Sequence, residues 1–215
     1  MRPLFRPLCL LPLLLLSLFA VSCAPAQRPP AAPAEPVTIS SLLVLPVDPV
    51  LSVKETPSDS KIQTLRQGAT VMDELLAAYL EKQEIPGLTF LTENQLEGHI
   101  GSRTGSRLAL GVQVARDLQK DAILNMRLTR FSERQGNNYS INAPASLAFE
   151  YKLVRADSGE VLCSGSFDES QQALFENLLS FSAKKSLRWL TIREFAGNAL
   201  QKKLDACPVL KASEP

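Results

Sequence analysis

Residues 114–134 read VARDLQKDAILNMRLTRFSER, and the period of their apolar side chains changes halfway through. Leu108, Val112, Ala115 and Leu118 recur every three or four positions, which predicts a helix over 106–119. Past Lys120 the period drops to two. Leu124, Met126 and Leu128 alternate with Asn125, Arg127 and Thr129, the pattern of a strand over 122–133 with one buried face. A helix therefore delivers Asp121-Ala122 into a strand, and the elements on either side follow from there.

Downstream the period stays at two. Gln135-Gly136-Asn137-Asn138 reads as a turn, and Pro144 marks an edge-like entry to the next strand. In that strand Leu147, Phe149, Tyr151 and Leu153 alternate with Ala148, Glu150 and Lys152. Asp157-Ser158-Gly159 turns the chain into 160–167, with Val161, Cys163, Gly165 and Phe167 on one side. The final third is helical, with a short segment over 171–180 and a stronger one over 189–204. Thr191 and Glu194 form a capping box there, Leu190 and Phe195 its staple.

Upstream, 39–47 (ISSLLVLPV) is β-rich and ends in prolines, so it reads as a strand. After a polar loop over 53–60, residues 61–83 place Ile62, Leu65, Ala69, Met72, Leu75, Leu76 and Tyr79 on one helical face, and Pro86-Gly87 stops them. Residues 88–91 make a short strand. Thr92 and Gln95 form a second capping box with Leu91 and Leu96 as its staple, so a brief helix follows, then a Gly/Ser loop over 98–105. The order β-α-β-α-β-β-β-α predicts an α+β domain, its sheet mostly antiparallel and its helices packed on one face.

The N-terminus is an address. Residues 1–22 read MRPLFRPLCLLPLLLLSLFAVS: two arginines, an apolar run too short to span a membrane stably, then small residues. Ala20-Val21-Ser22-Cys23 resembles the lipobox of bacterial lipoproteins. The resemblance implies cleavage before Cys23 and a diacylglyceryl group on its sulfur, and several acyl chains anchor a protein stably. Ala24, where an Asp would signal inner-membrane retention, points to the outer membrane. Residues 24–37 are rich in Pro and Ala and read as a tether. Eight of the fifteen prolines fall in the first 36 residues. The expected organisation is signal 1–22, lipidated Cys and tether 23–38, one periplasmic domain 39–207 and a flexible tail 208–215.

A lipidated Cys and tether, followed by ISSLLVLPVDPV with the helix IQTLRQGATVMDELLAAYLEKQ, LTFLTENQL, and the 114–134 run, resembles a group of envelope proteins. That group holds the N-terminal domain of TolB, the penicillin-binding-protein activator lipoproteins and the curli-secretion lipoprotein. The resemblance implies an adaptor or assembly domain that binds other envelope proteins and has no catalytic residues.

Composition agrees with a narrow set of functions. Lys and Arg number 23 against 22 Asp and Glu, so the net charge of +1 offers no basic surface for nucleic acid. Losing Arg2 and Arg6 with the signal turns that balance to −1. His99 is the single histidine, expected in a polar loop, and no G-x-S-x-G elbow accompanies it. The stretch GHIGSRTGSR over 98–107 lacks the Lys of a phosphate-binding P-loop, although Arg103 and Arg107 beside a helix start are candidate contacts for an anion or partner. Asp168-Glu169 reads as the end of a strand and the first turn of a helix rather than a glycosidase pair. Lys184, Lys185, Arg188 and Arg193 form a small basic cluster. Trp189 reads as core, and Tyr139 as a candidate interface anchor. With Cys9 removed and Cys23 lipidated, Cys163 and Cys207 remain in an oxidising compartment, either as a disulfide or as one buried and one exposed thiol. No metal site or cofactor is expected.

The reading is a non-catalytic, lipid-anchored outer-membrane protein with an envelope protein partner. Its rivals are a periplasmic hydrolase acting on cell-wall or lipid material and a self-assembling structural lipoprotein.

Overall fold

A computed structural model describes residues 38–51, 58–136, 141–171 and 190–211, all within a unit spanning Pro36–Pro215. Cys23, residues 24–37 of the tether, Tyr139, residues 172–180 of the segment expected over 171–180, Lys184, Lys185, Arg188 and Trp189 lie outside the described residues.

The described elements are β1 (Leu42–Val44), β2 (Asp48–Pro49), α1 (Asp59–Glu81), β3 (Thr89–Phe90), α2 (Glu93–Ile100), α3 (Arg107–Asp117), β4 (Ala122–Ser132), β5 (Gln135–Gly136), β6 (Ile141–Ala143), β7 (Ser146–Arg155), β8 (Val161–Ser170) and α4 (Ile192–Leu204). A 3-10 turn over Pro208–Leu210 follows. The main sheet runs β3-β1-β4-β7-β8, with β2 beside β4. Pairs β1–β3, β1–β4 and β2–β4 are parallel; the long pairs β4–β7 and β7–β8 are antiparallel. The class is α+β, as the periodicity implies.

Alternation along the strands divides the core in two. Leu42, Val44, Leu124, Met126, Leu128, Leu147, Phe149 and Leu153 point to one face and pack with α1 and α4. Leu43, Leu45, Ile123 and Val154 point to the other and pack with α2 and α3. To the main helical layer the structure thus adds a smaller one beneath the parallel end of the sheet. Asn125, which follows Ile123 on that second face, is 5% exposed, and its Oδ1 has no hydrogen-bond partner among the described residues.

Two glycines set how closely helices approach strands. A Cβ on Gly68 of α1 would lie 2.5 Å from Phe131 Cγ, so the Phe131 ring fills the space a side chain would need. A Cβ on Gly111 of α3 would lie 2.6 Å from both Ile123 Cδ1 and Leu45 Cδ1. At close-packed density neither space is available to a methyl group.

Helix boundaries follow their caps. Thr92 and Gln95 close a capping box at α2, and Thr191 and Glu194 close one at α4. Ser58 and Ser106 cap α1 and α3 by accepting the N–H of Lys61 and Ala109. Asp121, delivered by α3, accepts the Ser40 N–H at 2.9 Å and the Ser40 hydroxyl. These bonds hold its carboxyl below the ordinary range.

Four expectations need correction. The loop expected from Gly98 begins at Gly101, because the Thr92 box nucleates enough helix to carry Gly98, His99 and Ile100; Gly101, at φ 58°, ends it. Of the turn expected at 135–138, Gln135 and Gly136 are strand residues that pair with Ala143 and Ile141 in a small separate ribbon, and Asn137 and Asn138 lie outside the described residues. The phase of β8 shifts at a bulge where Val154 pairs Val161 while Leu153 pairs Cys163. Val161 is therefore 50% exposed, and Leu162 and Cys163 both reach the main core. Lastly, β8 runs through Ser170, so Asp168 and Glu169 are both strand residues.

Helix α4 is held by several unlike contacts. Phe149 stacks on Phe167 at 5.7 Å, and Phe167 meets Phe195 edge-on at 5.6 Å. Tyr151 donates its hydroxyl to the Lys203 carbonyl at 2.9 Å, and Tyr79 donates to Asp205 Oδ1 at 2.8 Å. Glu133 accepts the free N–H of Ile192 at the helix start. A disulfide joins Cys163 on β8 to Cys207 just past α4, with Cα atoms 5.9 Å apart.

Candidate functional site: a groove where the chain changes faces

Helix α1 carries the chain from β1 to β3 over one face of the sheet, and α2 with α3 carries it from β3 to β4 over the other. The segments leaving β1 and β3 at their carboxyl ends therefore part in opposite directions. In open sheets with parallel crossovers, that parting leaves the crevice where ligands bind. A groove of about 1080 Å³ lies there, walled by Val44–Leu51, by α1 from Ile62 to Ala77 and by Phe90–Glu93.

Its floor is apolar. Leu65, Ala69 and Leu76 of α1 line it together with Val44, Leu45 and Val47, all buried. Phe90, on the edge strand β3, is 37% exposed at one wall. The rim is acidic: Asp48, Asp73, Glu74, Glu93 and Glu97 against Arg66 and Arg107.

Each rim charge has its own circumstances. Arg107 grips Glu93 with both guanidinium nitrogens, at 2.8 and 2.6 Å, and donates to the Pro46 carbonyl at 3.1 Å. The paired hydrogen bonds hold Glu93 below the ordinary carboxylate range and raise Arg107. Arg193 of α4 reaches Glu74 at 2.7 Å, and Arg127 lies 3.9 Å from Asp48. Asp73 differs. Among the described residues its Oδ1 accepts only the Val47 N–H, at 2.8 Å, and burial pushes its carboxyl up to about 6. The Arg107 charge acts against that rise, and the Glu93 charge adds to it. Among the described residues, Asp73 and Glu97 are the rim acids with no ion pair.

The residues singled out from sequence fall in several places. Arg107 lines the groove but is committed to Glu93, and Arg103 is paired with Asp117 at 2.8 Å on the surface. Both cations expected to meet an outside anion thus have partners on this chain. His99 is exposed in the last turn of α2, where a basic residue suits the negative end of the helix dipole. Asp168 pairs with Arg130, and Glu169, one residue on, points to the opposite face, so the two carboxylates do not share a cleft. Among the described residues no cluster of metal-ligating side chains occurs, and no helix is long and apolar enough to cross a membrane. Asp73 escaped the sequence reading. Its single signal was an acid between Met72 and Leu76 near the edge of an otherwise apolar helical stripe.

No protein-family model and no curated protein matches this chain. Among solved structures it is similar to the PelC dodecamer of Paraburkholderia phytofirmans, at 14% identity and a TM-score of 0.47, over 81% of this chain and 89% of that one. It is also similar to the hypothetical protein CT253 of Chlamydia trachomatis, at 9% identity and a TM-score of 0.43, over 79% and 98%. The C-terminal domain of LpoB from Salmonella enterica follows at 18% identity and a TM-score of 0.35, over 64% and 88%. At these levels the likeness establishes neither a family nor an activity for this chain.

Proposed function

We propose that this chain is a lipid-anchored protein of the outer membrane whose periplasmic domain binds an envelope protein partner and performs no chemistry itself. The observation that carries the reading is the groove at the carboxyl ends of β1 and β3. It joins an apolar floor to a carboxyl, that of Asp73, kept half out of water at a cost to the fold. A groove that only had to be filled by the protein's own side chains has no use for such a group. The lipobox-like Ala20-Val21-Ser22-Cys23 and the Pro/Ala tether support anchoring. The join between Cys163 and Cys207 suits an oxidising compartment.

The test is site-specific photocrosslinking of the full-length lipoprotein in cells. A photoreactive residue replaces Thr70, which lines the groove, or Gln113, which is exposed on α3 away from it. The expected result is one envelope protein captured from position 70 and not from 113, with capture lost when Cys23→Ala removes the anchor. No capture from position 70, together with turnover of a cell-wall or lipid substrate by the purified chain, would replace the adaptor reading with the hydrolase.

A further inference from the structure

We infer that the groove takes a basic segment of the partner, one Lys or Arg seated against Asp73 and the neighbouring apolar side chains laid on the floor of Leu65, Ala69 and Leu76. The inference rests on the partner-binding reading and adds the chemistry of what is bound.

Charge decides the sign of the occupant. The rim carries five acids against two arginines. Even with Arg193 on Glu74 and Arg127 near Asp48, acids outnumber bases there. Arg107 is engaged by Glu93 and the Pro46 carbonyl and makes no ion pair with Asp73. Asp73 is thus a carboxylate with one backbone donor, a wet side open to the groove and no ion pair among the described residues. A cation arriving from outside would complete it, and the apolar floor beside it would keep the resulting pair poorly screened. An anionic occupant would meet the opposite field.

The pairing is coupled to protons. Burial keeps the Asp73 carboxyl up at about 6 in the free protein. The charged groups around it are Glu93 on α2 and Arg107 on α3, Asp48 on β2, and Arg66 and Glu74 on α1 itself. A cation binds the ionised form, so affinity climbs by up to about tenfold per pH unit below 6 and levels off above it.

The test uses the mature chain produced as Cys23→Ser, and as probe a fluorescein-labelled decapeptide in which three arginines alternate with leucines. Controls carry Glu in place of Arg, or Ser in place of Leu. The Arg/Leu peptide is expected to bind by fluorescence anisotropy, with both controls at least tenfold weaker. Asp73→Asn keeps an oxygen for the Val47 N–H, so the fold survives, and a thermal melt verifies this. That variant should bind the Arg/Leu peptide at least tenfold more weakly and lose the pH dependence near 6. Equal affinity of wild type and Asp73→Asn, or of the Arg and Glu peptides, would overturn the inference. So would self-association of the bare chain that Asp73→Asn abolishes, since the occupant would then be a second copy. If position 70 still captures a partner while peptide binding ignores Asp73, the adaptor reading stands and the cationic occupant fails.

Discussion

Replacing Cys163 and Cys207 together by Ala asks how much of the fold depends on one cross-link. The two residues are 44 positions apart, joined between β8, the outermost long strand, and the turn that follows α4. Closing a loop of that length removes about 4 kcal/mol of freedom from the unfolded chain. Cys207 is 1% exposed, so Ala, which adds no buried hydroxyl, is the fair substitute there. In the native state α4 keeps its aromatic contacts with β8 and the Tyr151 bond to Lys203, so the variant should fold in the same shape. For a domain of this size, a urea dependence of roughly 2 kcal/mol per molar converts the loss to a midpoint lower by about 2 M. The assay is urea unfolding of the mature chain followed by far-ultraviolet circular dichroism, wild type against double variant, with and without reductant. Reductant should move the wild type onto the variant curve and leave the variant unmoved. A midpoint shift below about 0.5 M, or two alkylatable thiols in wild type unfolded without reductant, would refute the reasoning.

Three further perturbations separate packing from charge. Gly68→Ala drives a methyl group into Phe131 and should cost about 1–3 kcal/mol in thermal unfolding, recovered in part by Phe131→Leu in the same chain. Asp73→Asn should stabilise. The folded carboxyl sits at about 6 against an ordinary 3.8, so the native state holds the proton more tightly, and stability falls as pH rises from about 4 to 6. The full shift is worth about 3 kcal/mol at pH 7. Solvent screening of a half-buried group brings the expected gain to about 1 kcal/mol, vanishing below pH 4, as unfolding at pH 4 and 7 would show. Arg107→Gln breaks both bonds to Glu93 and the one to Pro46, and should lower stability by about 1 kcal/mol with a smaller loss in high salt.

What was legible in the sequence, and what was not, divides by distance along the chain. The caps at Thr92 and Thr191 were readable because box and staple lie within six residues, and no tertiary contact is needed to form them. The faces of β4 were readable from Leu124 to Leu128 and those of β7 from Leu147 to Leu153, where the period of two holds; past Leu128 a bulge turns Phe131 into the same core. Where a single pairing event intervenes, the reading slips. The bulge at Leu153 and Val154 reverses the face of Val161 and exposes it, and nothing local to residues 160–163 announces that. The groove is the extreme case. Its walls come from residues 44–51, 62–77, 90–97 and 107, brought together only because β3 and β4 pair on opposite sides of β1. Strand order is a matter of which edges meet, and helical or strand period carries no record of it. Asp73 therefore looks from sequence like a solvated acid beside an apolar stripe, and in the fold becomes a carboxyl held away from water by elements on both faces of the sheet. The same arrangement that hid it also argues for its use. A carboxyl that burial pushes up to about 6, in the crevice the topology opens at the ends of β1 and β3, is better explained by what it meets there than by what it holds together.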